Sequence, residues 1–316
     1  MASWRTRAAI GLTALFLVGA CSSAATTAPT AAPTPAPTPA ATPAASAAPP
    51  ASVAPSVAAS VAPSAAAITV PDSIKSAGKL VWCTDISYAP EEFYAADGTT
   101  AQGSDIDIAT EIAKRFGVSV EVDNTGFDGI IPALLAKKCD LIISGMNDTA
   151  ERAKQVDFVD YLKVGQGLLV PAGNPKGIHT LDDLSGKTVA VQLGTTNKDA
   201  LDAENDKLKG EGKPLIEIQT FQADTDAFQQ LVLGRVDCYS TDSPVVAYYN
   251  SKPENAGKFE IAGNPIAPAP IGIAIRKDAA DLKAAVQAAI DGMYADGTLK
   301  QIIDKWGMTN AVVFLK

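Results

Sequence analysis

Apolar residues between 68 and 316 fall into short continuous runs separated by stretches with a spacing of three or four, an alternation that predicts strands and helices in turn. Leu80 to Cys83 reads as a first strand. Ile108, Ile112 and Phe116 share one face of a helix that Ser104-Asp-Ile-Asp107 is expected to open as a capping box. Val118 to Val122 reads as a strand, and Phe127-Asp128-Gly leads into a helix through Leu134 and Leu135 to Lys138. Leu141 to Ile143 is a short buried strand that delivers Ser144, Gly145 and Asn147 onto the loop at its end, after which Thr149 caps a short helix carrying Arg152. The strand-helix-strand-helix-strand order favours a mostly parallel sheet covered by helices.

A strand from Gly165 to Val170 precedes the loop Pro171 to Pro175, and a second unit of the same kind follows. Thr180-Leu-Asp-Asp183 is expected to cap a short helix, Thr188 to Gln192 reads as a strand, and Gly194-Thr-Thr196 leads into a helix from Asn197. Leu215 to Ile218, a helix from Asp226 to Leu233, and the strand Val236 to Tyr239 come next, ending at Asp242. Ile271 to Ile275 is a further strand, before a long helix with Leu282, Val286, Ile290 and Met293 on one face. About 249 residues allow one large α/β domain or two modest ones; the interruption at 171–178 favours two similar units over a single continuous sheet.

The first 67 residues follow neither rhythm. Arg5 and Arg7 precede an apolar run from Ala8 to Ala20, too short to span a bilayer comfortably, so 1–20 reads as a secretory signal segment. Val18-Gly-Ala-Cys21 resembles a bacterial lipobox, which implies cleavage before Cys21, lipidation of Cys21 and anchoring to a lipid bilayer. After Cys21, from Ser22 to Ala67, the chain is Ala, Pro, Ser, Thr and Val without a charge, with Val-Ala-Pro-Ser at 53–56 and again at 61–64; such a composition cannot build a core, and 21–67 reads as a disordered tether.

With Arg5 and Arg7 set aside, 24 of the 26 Lys and Arg remain against 35 Asp and Glu, a net charge of −11 that argues against a nucleic-acid groove. Cys83, Cys139 and Cys238 each sit in or beside a predicted strand. They read as small buried hydrophobes, or, for Cys83 and Cys139, as a disulfide in an oxidising compartment. No spacing suggests a metal site, no cofactor motif is present, and the single His, His179, falls in a loop.

The polar residues with chemical potential gather at strand ends, where ligands of open α/β sheets bind. Asp85 and Tyr88 follow the first strand, Ser144 to Arg152 the third, Thr195 and Thr196 a strand of the second unit, and Asp242 another. Arg152 offers two parallel donors to a carboxylate, and Thr196 at a helix N-terminus suits the same anion; on its own stretch, Arg152 reads equally as a surface partner of Asp148 or Glu151. Asp242 suits a cation, or caps the helix that starts near Ser243. Together these groups describe a receptor for an α-amino acid.

On these marks the chain resembles the bacterial extracellular solute-binding proteins for polar amino acids. The marks are Tyr88-Ala-Pro90, Gly103-Ser-Asp-Ile-Asp107, Phe127-Asp-Gly-Ile-Ile-Pro-Ala-Leu134, Thr149-Ala-Glu-Arg152 with Val156-Asp-Phe158, Leu181 to Lys187, Gly194-Thr-Thr196, and Gly234-Arg-Val-Asp237 leading to Asp242. The resemblance implies a type II periplasmic-binding-protein fold: two α/β lobes with mostly parallel sheets, 68–165 plus 270–316 and 166–269, joined by a two-strand hinge near 164–169 and 265–272. It implies that Arg152 and Thr196 hold the ligand α-carboxylate and Asp242 its ammonium, that Ser144, Gly145 and Asn147 add bonds, and that Tyr88 and Phe127 sandwich the side chain. It implies too that Asp85 meets a distal polar group, favouring arginine, lysine or glutamine. Two departures stand out. Gly145 and Asn147 occupy positions where members often carry serines, and Ser104 replaces a common Phe.

The expected function is therefore that of the substrate-binding component of an ABC-type amino-acid importer. It would capture a free polar L-amino acid and present it to membrane permease subunits, without catalysis. A ligand sensor that addresses a signalling receptor is the runner-up, followed by a dehydratase-like enzyme on the same scaffold.

Overall fold

A computed structural model of the protein describes residues 67–316; the expected signal segment, Cys21 and the expected tether up to residue 66 lie outside them. In chain order the elements are α1 (Asp72–Ala77), β1 (Lys79–Thr84), the ribbon β2 (Phe93–Tyr94) and β3 (Ala101–Gln102), α2 (Ser104–Phe116), β4 (Ser119–Asn124), α3 (Ile130–Leu135), β5 (Leu141–Ile142), α4 (Ala150–Ala153) and the long β6 (Val156–Pro171). There follow β7 (Thr188–Gln192), α5 (Thr196–Gly210), β8 (Glu217–Phe221), α6 (Asp224–Val232), β9 (Cys238–Asp242), α7 (Ser243–Ser251), the long β10 (Phe259–Arg276), α8 (Ala280–Ala295), α9 (Thr298–Lys305) and β11 (Val313–Phe314).

The main sheet runs β4-β1-β5-β10-β6-β9-β7-β8, with β11 on β6. β1 lies between β4 and β5 and β7 between β8 and β9, all four pairings parallel, so each half has the trio that the sequence rhythm predicts. β6 and β10 are antiparallel to one another and run through both halves. The strand expected at 165–170 therefore starts nine residues earlier, at Val156, and the two units share one continuous sheet. The periodicity could not show this, because β6 is buried on both faces in its second half and polar-interrupted in its first. The β6–β10 register shifts between Ala262 and Ile266, Ile266 and Ala269, and Ile271 and Gly272, which concentrates the irregular backbone where the lobes meet.

Each lobe closes on its own core. Leu80 and Trp82 of β1 pack with Ile108, Ile112 and Phe116 of α2, and with Leu282, Val286, Ile290, Met293, Leu299 and Ile303 from the C-terminal helices. Cys83 faces the other side of the sheet with Ile130, Leu134 and Cys139, and the Cys83–Cys139 disulfide is formed there, with Cα atoms 5.7 Å apart. Cys238 is free and buried in the second lobe, among Leu168, Val189 and Leu201.

The capping box at 104–107 does not form. Gly103 is the N-cap residue, with no side-chain bond, and the Ser104 and Asp105 N–H groups donate to the carbonyls of Pro90 and Glu91 at 3.0 and 2.9 Å. The acids are used in tertiary contacts instead: Asp105 accepts from Gly145 N and Tyr161 Oη, and Asp107 from Lys305 Nζ and Trp306 Nε1. Thr180 and Asp183 do form the expected box, at the head of a 3₁₀ turn over Leu181–Leu184, and Thr149 accepts from Arg152 N at 3.2 Å.

Candidate functional site

The loops that leave β1, β4, β5, β7 and β9 converge between the lobes. They bring together Asp85, Tyr88, Phe127, Ser144, Gly145, Asn147, Arg152, Thr195, Thr196 and Asp242, which line one gap of ≈ 290 Å³ including the solvent at its mouth. Glu92, Gln192 and Asn197 line it as well, and the sequence reading passed over all three. Gln192 is the last residue of its strand and Asn197 follows Thr196, so the strand-end rule extended by one residue would have reached both. Nothing in the local pattern marks Glu92.

Several of these groups join the lobes. The Asp85 carboxylate accepts from the Phe127 backbone N–H at 2.9 Å and, across the gap, from Gln192 Nε2 at 2.8 Å. Arg152 Nη1 donates to the Asn147 carbonyl at 2.9 Å and Nη2 to the Gly194 carbonyl of the facing lobe at 3.1 Å, while the guanidinium carbon lies 5.3 Å from the centre of the Phe127 ring. Thr196 Oγ1 donates to Asn147 Oδ1 at 2.8 Å. Thr195, not Thr196, is the N-cap of α5: its Oγ1 accepts from Lys198 N at 3.2 Å and donates to the Gln192 carbonyl at 2.9 Å. Thr196 therefore keeps its hydroxyl for the gap, and the first turn of α5 points the positive end of its dipole there.

The loop after β5 is held from behind. Ser144 Oγ donates to Glu92 Oε1 at 2.7 Å and accepts from Asp85 N at 3.1 Å. Gly145 has φ +49°, and a Cβ on it would stand 2.9 Å from Tyr88 Cε1. A glycine at this position is thus required by the Tyr88 ring. Tyr88 itself packs with Leu169, Tyr239, Val245 and Tyr249 of the second lobe and accepts from Thr241 Oγ1 at 3.3 Å. Asp242 is buried, and its Oδ1 accepts from Asn197 Nδ2 at 2.9 Å; it stands at the N-cap position of α7 without capping it.

Burial raises the Asp242 carboxyl above its ordinary range, opposed by the bonds from Asn197 and Tyr88 and by the charge of Arg152. Asp85 is raised by burial as well, against donors from Ser87, Phe127 and Gln192. Partial burial draws the Arg152 guanidinium down, while Asp199, Asp242 and Tyr88 favour its charge. The arrangement places a donor fork and a helix N-terminus near one end of the gap and acceptors at Asp242 and Asp85. Among the described residues no group of three or more His, Cys, Asp or Glu is placed to hold a metal ion, and His179 is exposed on its loop.

Two hinged lobes with donors and acceptors of opposite charge facing one shared gap define a solute-binding protein. The chain belongs to the bacterial extracellular solute-binding proteins, family 3, whose family model matches residues 80–309, and it has the type II periplasmic-binding-protein fold. It is similar to the L-cystine-binding protein TcyJ of Escherichia coli (strain K12), 31% identical over 236 residues that cover 74% of this chain and 85% of TcyJ. Among solved structures it is similar to an ancestral arginine-binding protein bound to arginine, 40% identical with a TM-score of 0.67, covering 72% of this chain and 98% of that one. It is likewise similar to an ancestral amino acid-binding protein that is a precursor of cyclohexadienyl dehydratase, 39% identical with a TM-score of 0.67, covering 74% and 98%. The family is extracellular or periplasmic, binds free amino acids and works with ABC-transporter permeases. No helix among the described residues is long and apolar enough to cross a membrane.

Proposed function

We propose that this protein captures a polar amino acid between its lobes, with arginine, lysine or glutamine favoured, and hands it to the permease of an ABC importer. One observation carries the reading: Arg152 and Asp242, an anion receptor and a cation receptor, line the same gap. In this reading Arg152 and Thr196 hold the α-carboxylate, Asp242 the α-ammonium, and Ser144, Gly145, Asn147 and Thr195 shape the floor. Tyr88 and Phe127 flank the side chain, whose distal group meets Asp85. The lobes divide at 68–165 plus 270–316 and 166–269, and a lipid on Cys21 holds the protein at the outer face of the membrane. Calorimetry against the twenty amino acids tests the reading; a Kd no tighter than about 100 μM for all of them, near −5.5 kcal/mol, counts against import.

A second reading has one specific support, the similarity to a precursor of a dehydratase. Incubation with carboxylated cyclohexadienes and analysis for aromatic products separates turnover from reversible capture.

A further inference from the structure

Behind the gap, the segment 85–92 of the first lobe is pressed against the second lobe. Ser87 Oγ accepts from Asp224 N at 3.0 Å, and the Tyr88 ring sits among second-lobe core residues. The same contact brings carboxyl groups of both lobes together out of water. Glu91 is 1% exposed, Glu92 0% and Asp105 1%; facing them are Asp224 at 0% and Asp242 at 4%. Among the described residues, Oε2 of Glu91 and Oε2 of Glu92 have no hydrogen-bond partner, and neither has the neighbouring Ser104 Oγ.

The surroundings are short of positive charge. On the first-lobe side, Asp85, Tyr88, Glu91 and Glu92 come from the segment itself, Asp105 from α2, Tyr161 from β6 and Arg152 from α4. On the second-lobe side, Tyr239 and Asp242 come from β9, Asp224 from α6 and Tyr249 from α7. Arg152 acts on Asp242, while the carboxyls chiefly oppose one another. A buried carboxylate with an unpaired oxygen and acidic neighbours neutralises by holding a proton, which lets its O–H donate where a second acceptor would otherwise repel.

We propose that lobe closure takes up at least one proton onto the carboxyl groups that Glu91 and Glu92 bring from one lobe and Asp224 from the other, so that mildly acidic medium tightens ligand capture. When the lobes part, water reaches these groups and they return toward the ordinary carboxylate range, releasing the proton. Burial and the charges of Asp85 and Asp242 push Asp224 up to about 8 in the closed protein, against its bonds from Tyr239 and Thr241. Burial and the charge of Asp105 raise Glu91 and Glu92 well above their usual range. The closed form therefore binds more protons than the open form. Its advantage is full below the open-form values and is lost as pH rises through about 8.

The inference rests on the capture reading above and deepens it. Titration of the whole protein with L-arginine, in two buffers of different ionisation enthalpy, counts protons taken up per ligand, after correction for the titration of free arginine. We expect net uptake at pH 7.5 and a Kd about tenfold tighter at pH 6.5 than at 8.5, as one linked proton gives up to tenfold per pH unit. Both effects should shrink in Glu91→Gln and Asp224→Asn. Zero uptake with equal Kd at the two pH values overturns the proposal, whether or not the variants fold. If L-arginine and the other amino acids fail to bind, the capture reading falls, and small-angle scattering of the protein alone still decides. A radius of gyration that shrinks from pH 8.5 to 6.5 supports proton-linked closure, and one that stays constant overturns it.

Discussion

Arg152 and Asp242 face one gap, and each is already engaged by a different neighbour: Arg152 donates to the carbonyls of Asn147 and Gly194, and Asp242 accepts from Asn197. The two charges are thus positioned by the protein itself, and under the proposed capture a dipolar ligand would meet them with little rearrangement.

Removing the guanidinium should abolish tight capture. Arg152→Ala is expected to weaken amino-acid binding by at least about 30-fold, because losing one partner of a desolvated charge pair costs about 2–5 kcal/mol. Arg152→Lys, which keeps the charge and loses the fork, should fall between the two. Calorimetry on the three proteins checks this order.

Asp85 is the group expected to sort side chains. Asp85→Asn should weaken arginine and lysine by about 10-fold or more while changing glutamine little, since a neutral amide still serves an amide but no longer a buried cation. Competition between arginine and glutamine reads the ratio directly. An unchanged ratio would mean that the distal end of the ligand lies elsewhere.

Gly194 governs how closely the lobes approach. It has φ +79°, and a Cβ there would stand 3.0 Å from Asp128 Cα and 3.2 Å from Asp128 Cβ. Gly194→Ala should therefore strain the turn and prise the lobes apart. A loss of about 1–3 kcal/mol, roughly 5- to 150-fold in Kd, is expected. Scattering should show a larger radius of gyration at saturating ligand than for the unmodified protein.

The Cys83–Cys139 bridge spans 56 residues of sequence and fastens the end of β1 to the residues that enter β5. Replacing both cysteines by alanine should cost about 2–4 kcal/mol of stability, lowering Tm by about 5–10 °C, with ligand selectivity unchanged. Thermal melts of the two forms, each followed by competition binding, separate the effects.

Much of this architecture is legible in the residues. The runs at Leu80, Leu141 and Thr188 announce the parallel trios, and Asp85, Arg152, Thr196 and Asp242 come to one place because each lies at the end of a buried strand or in the loop and helix start that follow it. Contacts that depend on lobe docking are not legible. Gln192 looks like an ordinary strand residue until Asp85 reaches it from 107 positions away, and Ser104 looks like a cap until Asp105 is drawn to Gly145 and Tyr161. Local composition carries no information about such distant partners. The same limit left the Cys83–Cys139 pairing open and hid the unbroken course of β6.

The placement of Tyr88 in the facing lobe has an evolutionary consequence. A single eight-residue segment, 85–92, presents an acid that lines the gap, the ring that plugs the opposite core and the carboxyls that settle behind it. A mutation that alters the lining of the gap at this segment also alters the contact between the lobes. Drift in the lining of the gap and drift in the docking of the lobes are therefore inherited together, because one segment carries both.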